Sequence, residues 1–251
     1  MSSSLLISYM RLPRSEINNE LLLKCATLFS NHYGIWSEKG FVPGKHVKLS
    51  LDKIKQQFLF DDNTYIVIAT DFATHDGIGH AIGTRFYCDF LKGHASWITQ
   101  LVVHSDYRNK GIATRLCQLS WSPKFDYACG IVSSNPYAIK ALSSATNCVI
   151  EPERIIPYLP QLITLSNIPY LINALTTSYT TLTTSTTIIQ TDRCVLNTNF
   201  HICHDDVDQI RCSIHDWSLG ELSEGEEYAV VYFPMSKRKS TIHKEASTPL
   251  V

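Results

Sequence analysis

The sequence predicts an α/β fold built on a mixed sheet, mostly antiparallel, with one parallel strand pair. Three observations carry that prediction: helical spacing of apolar residues in two early segments, three β-branched runs separated by turn residues, and then strand, helix, strand, helix in succession. Leu5 to Leu12 is a candidate first strand, and Ile17, Leu21, Leu22, Ala26 and Phe29 place a helix over 16–29. A loop punctuated by Gly34, Gly40, Pro43 and Gly44 leads to Ser50, the N-cap of a second helix carrying Leu51, Ile54 and Phe58 on one side. The next three runs, 64–70, 79–87 and 94–104, are joined by turns with Asp71, Asp76, Gly77 and Gly93, which makes them an antiparallel meander.

A basic turn, 105–111, precedes a helix in which Ile112, Leu116 and Leu119 share a face until Pro123. The strand 127–133 follows, then a helix with Asn135 at its N-cap and Pro136 at its first position. Such a strand–helix–strand connection requires a right-handed crossover and a parallel pair. Pro152, Pro157, Pro160 and Pro169 break 151–192 into pieces, and its Thr/Ser-rich run 176–187 is low in complexity, so this region is expected to be an insertion or loop. Further strands are expected at 194–202 and 227–233, around an acidic helix. The expected organisation is one domain over 1–235, with a core at 5–146 and C-terminal strands within 194–233, followed by a disordered tail, 236–251.

The 251 residues are 44% hydrophobic and 18% charged, with a net charge of −1. That balance supports a buried core and supplies no global field for nucleic acid or an anionic membrane, so neither is expected as a partner. Met1 to Ile7 lacks a basic leader region, which makes a cytoplasmic location the expectation, with a nuclear one also open. Eight scattered cysteines without a Cys-x-x-Cys pair are expected to be small buried hydrophobes.

The chemistry concentrates in the turn. At a strand-to-helix junction several backbone N–H groups lack intrahelical partners and the helix dipole adds positive potential, which together make an anion site. Gly111 and Ala113 allow a diphosphate to approach the backbone, and Arg108, Lys110 and Arg115 can add charge at the rim.

Arg108-Asn109-Lys110-Gly111-Ile112-Ala113, after an apolar strand, resembles the acetyl-coenzyme A signature of the GNAT superfamily: Gln or Arg, two residues, Gly, one residue, then Gly or Ala. The element order over 5–146 is similar to that family's, Asn135-Pro136-Tyr137-Ala138 resembles its second motif, and 198–233 is similar in pattern to the final strands of some fungal-type members. The resemblance implies a GNAT-type sheet whose central parallel pair is splayed open, with helices on both faces. It also implies an N-acyltransferase, of the class transferring groups other than amino-acyl groups, that moves the acyl group of acetyl-coenzyme A or another acyl-coenzyme A directly to an amine of a small molecule or protein.

By the same resemblance, Arg108, Asn109, Lys110, Gly111, Ile112, Ala113 and Thr114 would hold the diphosphate. Leu101, Val102 and Val103 would pair with the pantetheine arm, and Leu101 or Val102 would donate its N–H to the oxyanion. Asn135 would contact cofactor or an ordered water, a role that N-capping competes with, and His94 is a candidate base. The chain departs from the family pattern in two places: 94–103 holds no Asp or Glu, and Leu142 stands where many members carry a Tyr acid. A coenzyme A-binding protein impaired in catalysis is therefore an alternative. Cys194, His201, Cys203, His204, Cys212 and His215 are metal-ligand types, but their spacing matches no common zinc module. No metal is expected, and a Cys/His interaction module is the remaining alternative.

Overall fold

The computed structural model describes residues 5–180, 193–203, 205–214 and 217–234. Seven strands form one sheet in the order β1-β2-β3-β4-β5-β7-β6. In chain order the elements are β1 (Ile7–Pro13), α1 (Asn19–His32), α2 (Leu51–Phe58), β2 (Thr64–Asp71), β3 (Gly77–Cys88), β4 (Gly93–Val103), α3 (Ile112–Ser120), β5 (Asp126–Ser133), α4 (Pro136–Thr146), α5 (Pro152–Ile155), α6 (Leu159–Ser166), α7 (Pro169–Thr180), β6 (Val195–Asn197), α8 (Asp205–Ser213) and β7 (Glu226–Tyr232). Every neighbouring pair is antiparallel except β4 and β5, which run parallel.

Local chemistry sets the boundaries. The expected start of the first helix at Glu16 is corrected to Asn19, because Asn18 accepts the Leu21 N–H at 2.9 Å while 14–16 form a separate 3-10 turn. Ser50 caps α2 by accepting from the Lys53 N–H, and Asn135 caps α4 by accepting from the Tyr137 N–H. Alternation along β2 assigns the two faces: Tyr65, Val67 and Ala69 enter the main core with α3 and α4, whereas Ile66 joins the cluster under α1 and α2.

Of the two expectations for 151–192, an insertion or a loop, the loop is corrected as far as 180. Prolines at the first turns of α5 and α6, and at the start of α7, begin helices rather than breaking them, since the missing N–H has no intrahelical partner there. Leu159, Leu162, Ile163, Ile168 and Leu171 are buried in the main core. The remainder, 181–192, and the expected tail, 236–251, lie outside the described residues. The expected strand 194–202 is shorter than predicted: it ends at Asn197, whose side chain accepts the Asn199 N–H, and Asn199 takes a left-handed φ of 53° that a strand cannot continue through.

Candidate functional site

The parallel pair opens partway along. Its register runs from His94↔Asp126 to Ile98↔Ile131 and goes no further, so the last five residues of β4 have no partner on that side. The closed half is held by Trp97 lying over Gly130, where a Cβ would come within 2.5 Å of two indole carbons. At the opening the β3–β4 register slips, from Gly83↔Ile98 to Ile82↔Gln100, leaving Thr99 as a bulge.

Strand alternation decides which amides face the gap. The His104 N–H donates to the Ile78 carbonyl at 2.9 Å, so counting back by twos commits Val102 and Gln100 to β3 and turns Leu101 and Val103 outward. The expectation that Val102 offers a free N–H is thereby corrected; Leu101 and Val103 present the open edge.

Beyond β4, Tyr107 anchors the turn by donating its hydroxyl to Asp71 Oδ2 at 2.9 Å. Asn109 and Gly111 both adopt left-handed φ values, 61° and 77°, and α3 begins immediately after. The first backbone donor of the helix to find an acceptor is Arg115, bonded to the Gly111 carbonyl. Among the described residues the N–H groups of Asn109, Lys110, Gly111, Ile112, Ala113 and Thr114 have no acceptor. Among the described residues nothing lies within 4 Å of where a Gly111 Cβ would be, so the turn is open at that point.

The rim cations are less free than the sequence suggests. Arg108 donates through Nε to the Val103 carbonyl and through a terminal nitrogen to the His32 carbonyl, tying the end of α1 to β4. Lys110 reaches the Asp106 carbonyl at 2.8 Å, and Arg115 bonds Gln118 on its own helix. The unbonded donors of this turn are thus chiefly backbone.

Asn135 begins α4 beside the open end, occupied as its cap, and Leu142 is buried in the core. His94 sits at the closed end, five residues and about 16 Å along the strand from Thr99. It lines a separate cavity of about 370 Å³ with Arg11, Tyr65 and Arg85, so the structure does not bring it to the gap. Of the cysteine and histidine constellation, His204 and His215 lie outside the described residues. Cys194 is buried against the Pro152 carbonyl and His201 lies beside Glu224, and among the described residues no three His, Cys, Asp or Glu gather as a metal site would require.

Sequence reasoning singles out none of Tyr170, Glu227 and His80, which lie near the gap, whereas Tyr33, Trp36 and Phe41 stand out in the sequence as a candidate aromatic wall. Tyr170 of α7 donates its hydroxyl to the carbonyl of the bulged Thr99 at 3.4 Å. Burial, with the charge of Glu227 and the hydroxyl of Tyr33 nearby, pushes the Tyr170 phenol well above its usual range. Glu227 of β7 is 5% exposed, accepts from the Thr198 hydroxyl at 2.8 Å and from the Ser134 N–H, and burial pushes it up to about 6. On the adjoining strands His80 Nε2 meets Gln100 Oε1 at 2.6 Å, and burial pushes this imidazole down to about 4, which keeps it neutral. Above Val102, Tyr33, Trp36 and Phe200 form a wall, with the Trp36 and Phe200 rings in edge contact at 5.1 Å and Phe41, largely exposed, beyond them.

Residues 31–141 match the model of the acetyltransferase (GNAT) family. Similar solved structures include an aminoglycoside acetyltransferase from an uncultured soil metagenomic sample, 15% identical over 45% of this chain and 66% of that one, with a TM-score of 0.33. Another is the ribosomal-protein-alanine N-acetyltransferase of Brucella melitensis biovar Abortus 2308, 17% identical over 45% of this chain and 69% of that one, with a TM-score of 0.32. A chain of the NatC complex bound to Gag peptide and CoA is 17% identical over 56% of this chain and 82% of that one, with a TM-score of 0.38. No curated protein matches the chain.

Proposed function

From the match of residues 31–141 to the GNAT family model, we propose that the chain is a member of that superfamily and an N-acyltransferase that moves the acyl group of acetyl-coenzyme A to an amine. The observation that carries this reading is the run of six backbone amides, Asn109 to Thr114, without acceptors among the described residues, in the turn and first residues of α3. Unbonded donors at a helix N-terminus suit adjoining phosphates, and Gly111, in the left-handed region with nothing within 4 Å of where its Cβ would be, leaves room for them to approach. Further support comes from the neighbouring gap, where the outward N–H groups of Leu101 and Val103 and the Leu101 carbonyl offer a strand edge to an extended, amide-bearing arm, the Val103 carbonyl being taken by Arg108.

Acetyl-coenzyme A would supply an activated thioester when bound. The chain's own work is then to hold that arm along β4, bring an amine to the same place and receive developing negative charge on an N–H. Leu101, facing the gap just past the bulge, is the donor best placed for this. The acceptor side is the Tyr33, Trp36 and Phe200 wall, which favours an amine carried on an apolar or aromatic body.

Acetyl-coenzyme A at about a hundred times its dissociation constant is expected to stabilise the fold by about 2.7 kcal/mol. For a chain of this length that is a rise in melting temperature of about 5–10 °C. Differential scanning fluorimetry with acetyl-, malonyl- and free coenzyme A measures it, and thiol release with an amine panel tests transfer. The absence of any shift sinks the assignment; a shift without thiol release leaves a binding protein.

A further inference from the structure

Three carboxylates are buried among the described residues, and their surroundings differ. Asp126 is paired with Arg85 at 2.7 Å and bonded by Ser96 and the Ser122 N–H, and Asp71 takes the Tyr107 hydroxyl and the Ala73 N–H in a surface turn. Among the described residues Glu227 has no cation beside it. Its partners are one hydroxyl, from Thr198, and one amide, from Ser134. Its chain neighbours are directed elsewhere, Glu226 to Arg193 and Glu224 to Lys39 and His201.

The position matters as much as the pairing. Ser133 is the last residue of β5, opposite Tyr228, so Glu227 stands where the parallel pair has already come apart. The titratable groups facing it are Tyr33, from the end of α1, and Tyr170, from α7. Tyr170 also touches the carbonyl of the bulge at Thr99, and Tyr33 belongs to the aromatic wall over Val102. Glu227 is thus joined to both the strand that would carry the thioester and the surface that would carry the amine.

We infer that Glu227 is the general base of the transfer, the carboxylate that takes a proton from the acceptor's ammonium group. This rests on the acyltransferase reading above. The ammonium gives one proton to the carboxylate, and the nitrogen lone pair then forms the C–N bond to the thioester carbonyl carbon. The C–S bond breaks with its electron pair going to sulfur, and the second proton of the nitrogen passes to the thiolate. Amide and thiol leave, and the Glu227 proton passes to solvent. A carboxylate pushed up to about 6 is ionised at neutral pH yet more basic than an exposed one, as this step requires.

The test is kcat/KM against pH, for the whole chain with acetyl-coenzyme A and a panel of an arylalkylamine, an alanyl peptide and an aminoglycoside. The wild type is expected to lose activity as pH falls through about 6. Glu227→Gln keeps shape and hydrogen bonding, and is expected to lower kcat/KM by about 10²- to 10⁴-fold and to abolish that limb. Thr198→Ala removes a donor that favours the ionised form, so its limb moves to higher pH, a change that a merely structural Glu227 would not produce. The coenzyme A melting shift should persist in both variants. Wild-type turnover with a Glu227→Gln profile unchanged in height and limb overturns the role and leaves the acyltransferase standing. No turnover by the wild type across the panel overturns the transfer reading and the role with it.

Discussion

Glu227 occupies an electrostatically expensive place: a carboxylate removed from water, held by two donors and, among the described residues, no cation. Burial moves its pKa from 4.5 to about 6, so between those values the folded chain keeps a proton that the unfolded chain has released. Stability therefore falls as pH rises through that window, and above it the ionised form costs about 2 kcal/mol. Glu227→Gln is expected to melt above the wild type at pH 7.5, with the difference closing below pH 4.5, as thermal denaturation at a series of pH values would show. A variant more stable and less active is the usual signature of a functional charge. At this scale the sequence is least informative. Glu227 is one of two adjacent glutamates before an apolar strand, and its partner Thr198 and neighbours Tyr33 and Tyr170 are far away along the chain. By contrast Asn135 is legible as a cap because its partner, the Tyr137 N–H, is two residues away.

The splayed strand pair depends on a difference between its two halves. Trp97 covers Gly130 in the closed half, and the bulge at Thr99 breaks the register where the open half begins. Gly130→Ala would set a methyl 2.5 Å from the indole, so it is expected to destabilise the fold by about 1–3 kcal/mol in urea denaturation and to shift Trp fluorescence. Elements of this kind are largely readable in advance. The alternation of β2, the caps of α2 and α4 and the turn before α3 follow from residues within one or two turns of each other. The prolines of 152–169 mislead because a proline that breaks one helix is equally suited to begin the next, and only the packing of Leu162, Ile163 and Leu171 chooses. Nothing local marks Thr99 as the bulge, since its cause is the mismatch between β3 and β4.

At the scale of the molecule, three apolar clusters meet on one sheet: the main core, the cluster under α1 and α2, and the smaller group around Phe29, Val47, Val102 and Ile202. The last of these draws the C-terminal segment over the first helix, with Trp36 bridged to Ile202 and the Ser37 N–H bonded to the His201 carbonyl. Contacts joining the early and late parts of the chain argue for one cooperative unit. Calorimetry is expected to show a single transition with calorimetric and van't Hoff enthalpies in agreement, and two resolved transitions would count against the single domain expected over 1–235.

By itself the sequence determined the order of elements over 5–146, the mixed sheet with one parallel pair, and the amide-rich turn at Asn109 to Thr114, because periodicity, capping and turn chemistry act between near neighbours. Only the tertiary structure decided that Leu101 and Val103 face the gap, that His94 lies at the wrong end of its strand, and that Glu227, Tyr33 and Tyr170 come together around the opening. Those outcomes depend on register between strands and on burial from water, and both are properties of residues distant in the chain and close in space.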